Sequence, residues 1–219
     1  MKEHQWSAIF DWDGVVIDSS AYHEESWERL AEEEQRDLPP DHFKRGFGMK
    51  NEKIIPDILE WTHEPSEIER LDKRKEELYR EIIREKGIDP LPGVTEWLDT
   101  LREAGVSRAI ASSTARLNIT LMLDLIGVED YFDVIVCGED VSRSKPDPEG
   151  FLMAADKMGT RPGRCVVFED AHVGLEAARA AGMKVVGVAS THGAETLQDA
   201  DRVVKRLDEL TTDEVESWF

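Results

Sequence analysis

Two aspartates separated by one residue, Asp11-Trp12-Asp13, stand directly after the apolar run Ala8-Ile9-Phe10 and just before Gly14. Carboxylates in that spacing at a strand end can both face one site as the chain leaves a sheet. One can serve as a nucleophile and metal ligand while the other gives and takes protons. The pair alone fits a solvated polar turn better than a catalytic site, so its meaning depends on what else the chain offers. Ser112 and Ser113 follow another apolar run, where a hydroxyl and backbone N–H groups can hold a phosphoryl oxygen. Lys145 sits in the proline-bracketed loop Ser144-Lys145-Pro146-Asp147-Pro148, and a lysine so held can neutralise both a carboxylate and a transferring phosphate. Glu169 and Asp170 end a further apolar run, and adjacent acids there repel each other unless a cation lies between them and Asp11. An all-oxygen ligand set beside a phosphate substrate favours Mg²⁺. Each feature singly has an ordinary explanation: turn serines, a surface lysine, a polar loop. Together they point to metal-assisted phosphoryl transfer.

The elements that must position these groups are legible as alternating patterns. Short β-branched runs at Ala8-Ile9-Phe10, Arg108 to Ala111, Val134 to Cys137, Cys165 to Phe168 and Val185 to Val188 read as buried parallel strands. Helical periodicity over Val94–Ala104, Leu117–Ile126 and Val173–Ala181 fills the intervals, with Gly105, Gly127 and Gly182 as stops. The alternation predicts an α/β fold, a doubly wound parallel sheet of Rossmann-like design with right-handed crossovers. Ligands of such sheets sit beyond the carboxyl ends of the strands, where every polar cluster named above falls. Residues 20–89 break the pattern. Helices are expected at Ala21–Gln35, Asn51–Trp61 and Ser66–Lys86, giving a small helical cap domain inserted after the first strand, with residues 1–19 and 90–219 forming the core. The stretch Leu207–Phe219 is expected to form a short terminal helix.

The chain has 219 residues, 40% of them hydrophobic, enough for one large domain with an insert. Forty-seven acidic residues against 27 basic ones give a formal charge of −20, which argues against nucleic acid and anionic membranes as partners. The same field repels a phosphorylated metabolite at long range, so a phosphate site has to be built locally from a cation and a few lysines. The acidity itself fits either solubility or a high-salt habitat. Cys137 and Cys165 each lie in an apolar run, as buried free thiols do, and no disulfide framework is expected. No apolar run approaches membrane-spanning length and no leader pattern opens the chain, so a cytoplasmic, monomeric enzyme is expected.

The segment Phe10-Asp11-Trp12-Asp13-Gly14-Val15-Val16-Ile17-Asp18-Ser19 resembles the opening motif of the haloacid dehalogenase superfamily in its phosphatase branch. Ile110-Ala111-Ser112-Ser113, Lys145-Pro146 and Phe168-Glu169-Asp170-Ala171-His172-Val173-Gly174 are similar to its three later motifs, in order and over essentially the whole chain. The resemblance implies that Asp11 attacks phosphorus to form an aspartyl-phosphate, and that Asp13 protonates the leaving oxygen and later activates water. It further implies that Ser112 binds the phosphoryl group and that Lys145 offsets charge. Mg²⁺ would be held by the Asp11 carboxylate, the Asp13 backbone carbonyl and Asp170, with Glu169 nearby. Asp rather than Ser at position 13 favours phosphorus chemistry over dehalogenation, since the family's dehalogenases lack that second acid and need no metal.

Within the superfamily the chain looks closest to β-phosphoglucomutases and their phosphatase relatives. Tyr22-His23, Ser26-Trp27, and Lys75 before Tyr79 match cap and hinge positions of that group. In the mutases the matching His and Lys help to place the second acid and bind sugar phosphate. Lys75 also fits an ordinary solvated helix face in Asp72-Lys73-Arg74-Lys75. A mutase must hold a second phosphate, for which the group uses a cap arginine shortly after a glycine. In Gly46-Phe47-Gly48-Met49-Lys50-Asn51-Glu52 that place falls to Asn51, which offers no charged clamp, with Lys50 as a possible point charge. The expected function is therefore hydrolysis of a small phosphorylated metabolite, a sugar or polyol phosphate by resemblance. Ser113, His23, Lys50, Asn51 and Lys75 are the candidate substrate contacts. Phosphomutase activity is the alternative, and a non-catalytic binding protein on the same fold is a third reading.

Overall fold

The protein is described here by a computed structural model covering residues 6–46 and 49–219. Phe47 and Gly48, inside the stretch compared above with a phosphate-clamping loop, lie outside the described residues. The chain begins with β1 (Ser7–Phe10) and then enters a helical segment of α1 (Ser20–Glu34), α2 (His42–Gly46), α3 (Asn51–Lys53) and α4 (Pro65–Lys86). It continues through α5 (Val94–Ala104), β2 (Ser107–Ala111), α6 (Arg116–Ile126), β3 (Val134–Val136), α7 (Glu149–Lys157) and β4 (Cys165–Glu169). The last elements are α8 (His172–Ala180), β5 (Lys184–Val188), β6 (Arg202–Val204) and α9 (Thr212–Glu216). Two compact units result, one of Met1–Asp18 with Ile88–Phe219 and one of Ser19–Gly87.

In the larger unit six strands form one sheet in the order β3-β2-β1-β4-β5-β6, every pair parallel. This is an α/β Rossmann-like core. Both faces of the strands are covered, which is why they read as continuous apolar runs rather than alternating ones. On one face Ile9, Val167 and Val185 pack with Phe151 and Ala155 of α7 and Leu175 and Ala178 of α8. On the other, Phe10 stacks on Phe168 with centroids 4.5 Å apart, and Trp97 of α5 meets Phe168 edge-on at 6.2 Å. Helix α5 buries Val94, Trp97, Leu98 and Leu101, the predicted stripe, and ends where Gly105 turns left-handed at φ 73°.

The structure departs from the sequence expectation at several places. Strand β6 adds to the five expected strands; it is three residues long, and only Val204 is fully buried, so it carries little pattern to read. Helix α7 is likewise an addition, although Phe151, Ala154 and Ala155 repeat at helical spacing. The predicted helix over Asn51–Trp61 is shorter, α3 passing into a π-helical turn at Ile54–Ile58, and Pro56 within that turn lacks the N–H a regular helix needs. The terminal helix is broken too, into a 3₁₀ turn at Leu207–Glu209 and α9.

The smaller unit is held by α1 against α4, with Trp27, Leu30, Ile54, Ile55, Leu59, Leu71 and Leu78 as its core. Ion pairs lace the exposed faces of the two helices, among them Arg70–Glu34 and Arg74–Glu33, each at 2.7 Å. Beneath them lies a buried polar group. Lys75 is only 2% exposed, so it is no solvated surface lysine. Its Nζ donates to His23 Nδ1 at 2.7 Å and to Glu76 Oε1 at 2.9 Å, above the rings of Trp27 and Tyr79. His23 stacks on Tyr79 with centroids 4.1 Å apart. Burial, followed by the Lys75 charge, lowers the imidazole pKa to about 3, so it stays neutral and accepts at Nδ1.

Leu101 is fully buried, and Leu101→Ala is expected to cost about 2–5 kcal/mol, read as a lower urea midpoint at unchanged m-value. His23 gives a pH signature. Its folded-state pKa lies below the ordinary value of 6.5, so between those two values the unfolded chain binds the extra proton and stability falls as pH drops. His23→Gln should remove up to about 1.4 kcal/mol per pH unit from that slope between roughly pH 6 and pH 4, measured by urea unfolding at several pH values.

Candidate active site

The sheet register sets the site. Phe10 pairs with Ile110 on one side and Phe168 on the other, so one residue further on Asp11 lies level with Ala111 and Glu169. The Asp11 N–H still donates to the Phe168 carbonyl at 3.0 Å, which holds this residue as a continuation of β1. The chain then turns. Val16 N–H donates to the Trp12 carbonyl at 2.9 Å and Gly14 N–H to that of Ile17 at 2.7 Å, closing a tight loop around Asp13. Gly14 has φ +76°, and a Cβ there would lie 2.1 Å from Asp170 Oδ2, so only glycine lets the loop close over that carboxylate.

Asp11, Glu169 and Asp170 converge, with one carboxylate oxygen from each lying within 4.8 Å of the others. Lys145 Nζ contacts Asp11 Oδ1 at 3.0 Å and donates to Glu169 Oε1 at 2.6 Å. The second Glu169 oxygen accepts from the Ala171 N–H at 2.7 Å. A Cβ on Gly174, in the first turn of α8, would come within 1.7 Å of Glu169 Oε1, so the helix approaches this carboxylate closely because it lacks a side chain there. Burial works against the Lys145 charge, but Asp11 and Glu169 outweigh it and hold its pKa above the ordinary lysine value. Burial lifts Asp170 to about 6, with the Asp11 charge adding to the effect. Glu169 is likewise raised, by burial first and by the neighbouring acids, against the pull of Lys145. Three carboxylates thus share one ammonium group, and oxygen-only donors with a deficit of positive charge suit a hard divalent cation.

Ser112 is buried; its N–H donates to the Val136 carbonyl at 3.0 Å, extending the β2–β3 ladder, while Ser113 is exposed beside it. Ser112, Ser113, Ser144 and Lys145 share the lining of one small cleft. The larger unit therefore brings together Asp11, Glu169, Asp170 and Lys145 directly, and sets Ser112 and Ser113 beside Lys145. In the smaller unit Lys75 and His23 are joined to each other. Asn51 donates from Nδ2 to Asp72 at 2.7 Å and Glu76 at 2.8 Å, and Lys50 is exposed.

Several contacts to these groups have no counterpart in the sequence analysis. The Thr114 hydroxyl donates to the Asp13 carboxylate, the Ser190 hydroxyl to the Gly14 carbonyl, and Thr191 bonds the Asp170 side chain. His192 Nδ1 meets the Asp170 carbonyl at 3.1 Å. The two serine and threonine contacts at 190 and 191 come from the loop after β5, the next strand along the carboxyl edge. That position at a strand end is the available signal, but hydroxyls in loops are too common for spacing alone to single them out.

The family profile described as haloacid dehalogenase-like hydrolase matches residues 8–188, which is most of the chain. A chloroplastic 5-amino-6-(5-phospho-D-ribitylamino)uracil phosphatase of Arabidopsis thaliana is 40% identical over 93% of this chain, which spans only 55% of that longer protein. A phosphorylated carbohydrates phosphatase of Thermotoga maritima is 32% identical, with 83% of this chain and 84% of that protein covered. Among solved structures, β-phosphoglucomutase from Clostridium difficile superposes with a TM-score of 0.81 at 28% identity, covering 99% of this chain and 96% of that one. With a parallel sheet that presents Asp11, Lys145, Glu169 and Asp170 at one edge, and relatives of this kind along its length, the chain belongs to the haloacid dehalogenase-like hydrolases, in their branch of phosphatases and β-phosphoglucomutase-like proteins.

Proposed function

We propose that this protein is a magnesium-dependent phosphatase that hydrolyses a small phosphorylated metabolite, of the sugar or polyol phosphate class, through an aspartyl-phosphate on Asp11. The observation that carries this reading is the Asp11 carboxylate at the end of β1, paired with Lys145 at 3.0 Å and clustered with Glu169 and Asp170. In the first half-reaction an Asp11 oxygen bonds to phosphorus as the ester P–O bond breaks, and Asp13 gives its proton to the departing oxygen. In the second, water attacks phosphorus, Asp13 takes its proton, and Asp11 is released with inorganic phosphate. Ser112 and Ser113 hold the phosphoryl oxygens, while Lys145 offsets charge between nucleophile and phosphate. Asp11, Asp170 and the Asp13 carbonyl, with Glu169 beside them, would hold Mg²⁺, which when bound supplies charge neutralisation for the transferring group. Residues 20–89 serve as the cap that selects the substrate.

Phosphomutase chemistry is the second reading, favoured by the likeness to the Clostridium difficile β-phosphoglucomutase. The surroundings of Asn51 count against it. Its amide is already committed to Asp72 and Glu76, and asparagine carries no charge with which to clamp a second phosphate. The relatives from Arabidopsis thaliana and Thermotoga maritima named as phosphatases support hydrolysis. A phosphate-release panel of sugar phosphates, run beside β-glucose 1-phosphate with a catalytic bisphosphate, separates the two: free phosphate without isomerised sugar is the expected result.

Asp11→Asn is expected to abolish turnover while the far-ultraviolet spectrum stays unchanged; substantial residual activity would overturn the covalent scheme. Asp13→Ala should lower phosphate release by at least ~10²-fold, the lower end for general acid–base catalysis. Chelation should stop the reaction and added Mg²⁺ restore it. Because Asp170 is held near 6 in the metal-free protein, protons should compete with the cation, so Mg²⁺ affinity measured by calorimetry should weaken as pH falls through that value.

A further inference from the structure

The Asp13 carboxylate has a partner that the reaction scheme above does not use, the hydroxyl of Thr114, 101 residues away in sequence. Four features hold that hydroxyl in place. The Thr114 N–H donates to Ser112 Oγ at 3.2 Å, and the Thr114 carbonyl accepts from the Gly138 N–H at 3.2 Å. A Cβ on Gly138 would lie 2.4 Å from the Ser113 carbonyl, so the loop after β2 rests directly on the backbone that follows β3. Threonine is also β-branched and therefore stiff at χ1. The Asp13 loop is fixed from its own side by the Gly14 to Ile17 and Val16 to Trp12 bonds. A fixed donor thus meets a carboxylate on a fixed loop, and both lie within the larger unit.

We propose that Thr114 is a positioning residue for proton transfer. Its hydroxyl fixes the rotamer of Asp13, so that the proton of that carboxyl is delivered to the departing ester oxygen. This rests on the reading of Asp13 as the proton donor. The bond engages one Asp13 oxygen, Oδ2. Removing the hydroxyl lets the carboxylate turn without touching Asp11, Lys145 or the acids around them. The loss is therefore confined to substrates whose leaving group needs a proton.

The experiment compares kcat/KM, which covers events through ester cleavage, for p-nitrophenyl phosphate, phenyl phosphate and glucose 6-phosphate in wild type, Thr114→Val, Thr114→Ser and Asp13→Ala. The p-nitrophenolate ion departs without a proton, while the other two leaving groups require one. Thr114→Val should lose about tenfold or more on phenyl phosphate and glucose 6-phosphate, the scale of a hydrogen bond to a charged group, and little on p-nitrophenyl phosphate. Thr114→Ser, which keeps the hydroxyl, should restore most of the loss, and Thr114→Ala serves in place of Val if that variant folds poorly. Equal losses on all three esters, no loss at all, or failure of Ser to rescue would overturn the proposal. Should Asp13→Ala itself show no leaving-group dependence, the assignment of Asp13 as proton donor fails instead, and the Thr114 proposal falls with it. Inactivity of Asp11→Asn alongside a uniform Thr114→Val loss would leave the covalent scheme standing and remove only Thr114 from it.

Discussion

Three carboxylates gathered at the carboxyl edge of a parallel sheet, with Lys145 among them, set the terms for the rest of the larger unit. Like charges at such separations, shielded from water, repel strongly and resist ionisation. The upward displacement of Asp170 and Glu169 is the visible sign of that repulsion and burial. Lys145 relieves part of it by bridging Asp11 and Glu169, and remains charged although half-buried because two anions face it. The remaining deficit is what makes the cluster suited to a divalent cation and a phosphate together. A chain with a formal charge of −20 could not attract such a substrate by its overall field, so the attraction has to be assembled at this one edge.

Much of the local backbone follows from that need. Gly14 and Gly174 stand where a methyl group would collide with Asp170 or Glu169, which lets loop and helix close around these carboxylates. The Ala171 N–H and the Thr191 and Thr114 hydroxyls supply donors to the acidic side chains. Hydrogen bonds to ionised groups are the stronger kind, and here they orient the carboxylates rather than merely satisfying them. The smaller unit meets the opposite problem, a buried cation. There Lys75 is accommodated by a neutral histidine, one glutamate and two aromatic faces, an arrangement that leaves His23 unable to take up a second positive charge near it.

The carboxylate edge is legible in the amino-acid pattern because its members follow apolar runs that could only be buried strands. Asp11, Ser112 and Asp170 inherit their placement from β1, β2 and β4, and the parallel register makes the ends coincide. Lys145 is legible from its proline-bracketed loop. Strand β6 and the π turn at Ile54–Ile58 are not, the first because three short, partly exposed residues carry almost no pattern, the second because a π turn keeps helical apolar spacing. Helix α7 has a readable stripe in Phe151, Ala154 and Ala155, but two of its three members are small. The state of Lys75 is open in the sequence. A lysine within a run of charges looks solvated, and only the packing of α1 against α4 shows it 2% exposed.

Local information was enough for the strand–helix alternation, the order of the four motifs and the chemical types at the strand ends, because these depend on periodicity and on which side chains can carry charge or protons. The folded chain alone settled the pairings between distant residues: Thr114 with Asp13, Lys145 with Glu169, Thr191 with Asp170, and Asn51 with Asp72 and Glu76. Such contacts join segments as far as 101 residues apart, and their existence depends on sheet register and loop closure rather than on any spacing along the chain. A hydroxyl or amide in a loop has many possible partners until the fold removes all but a few.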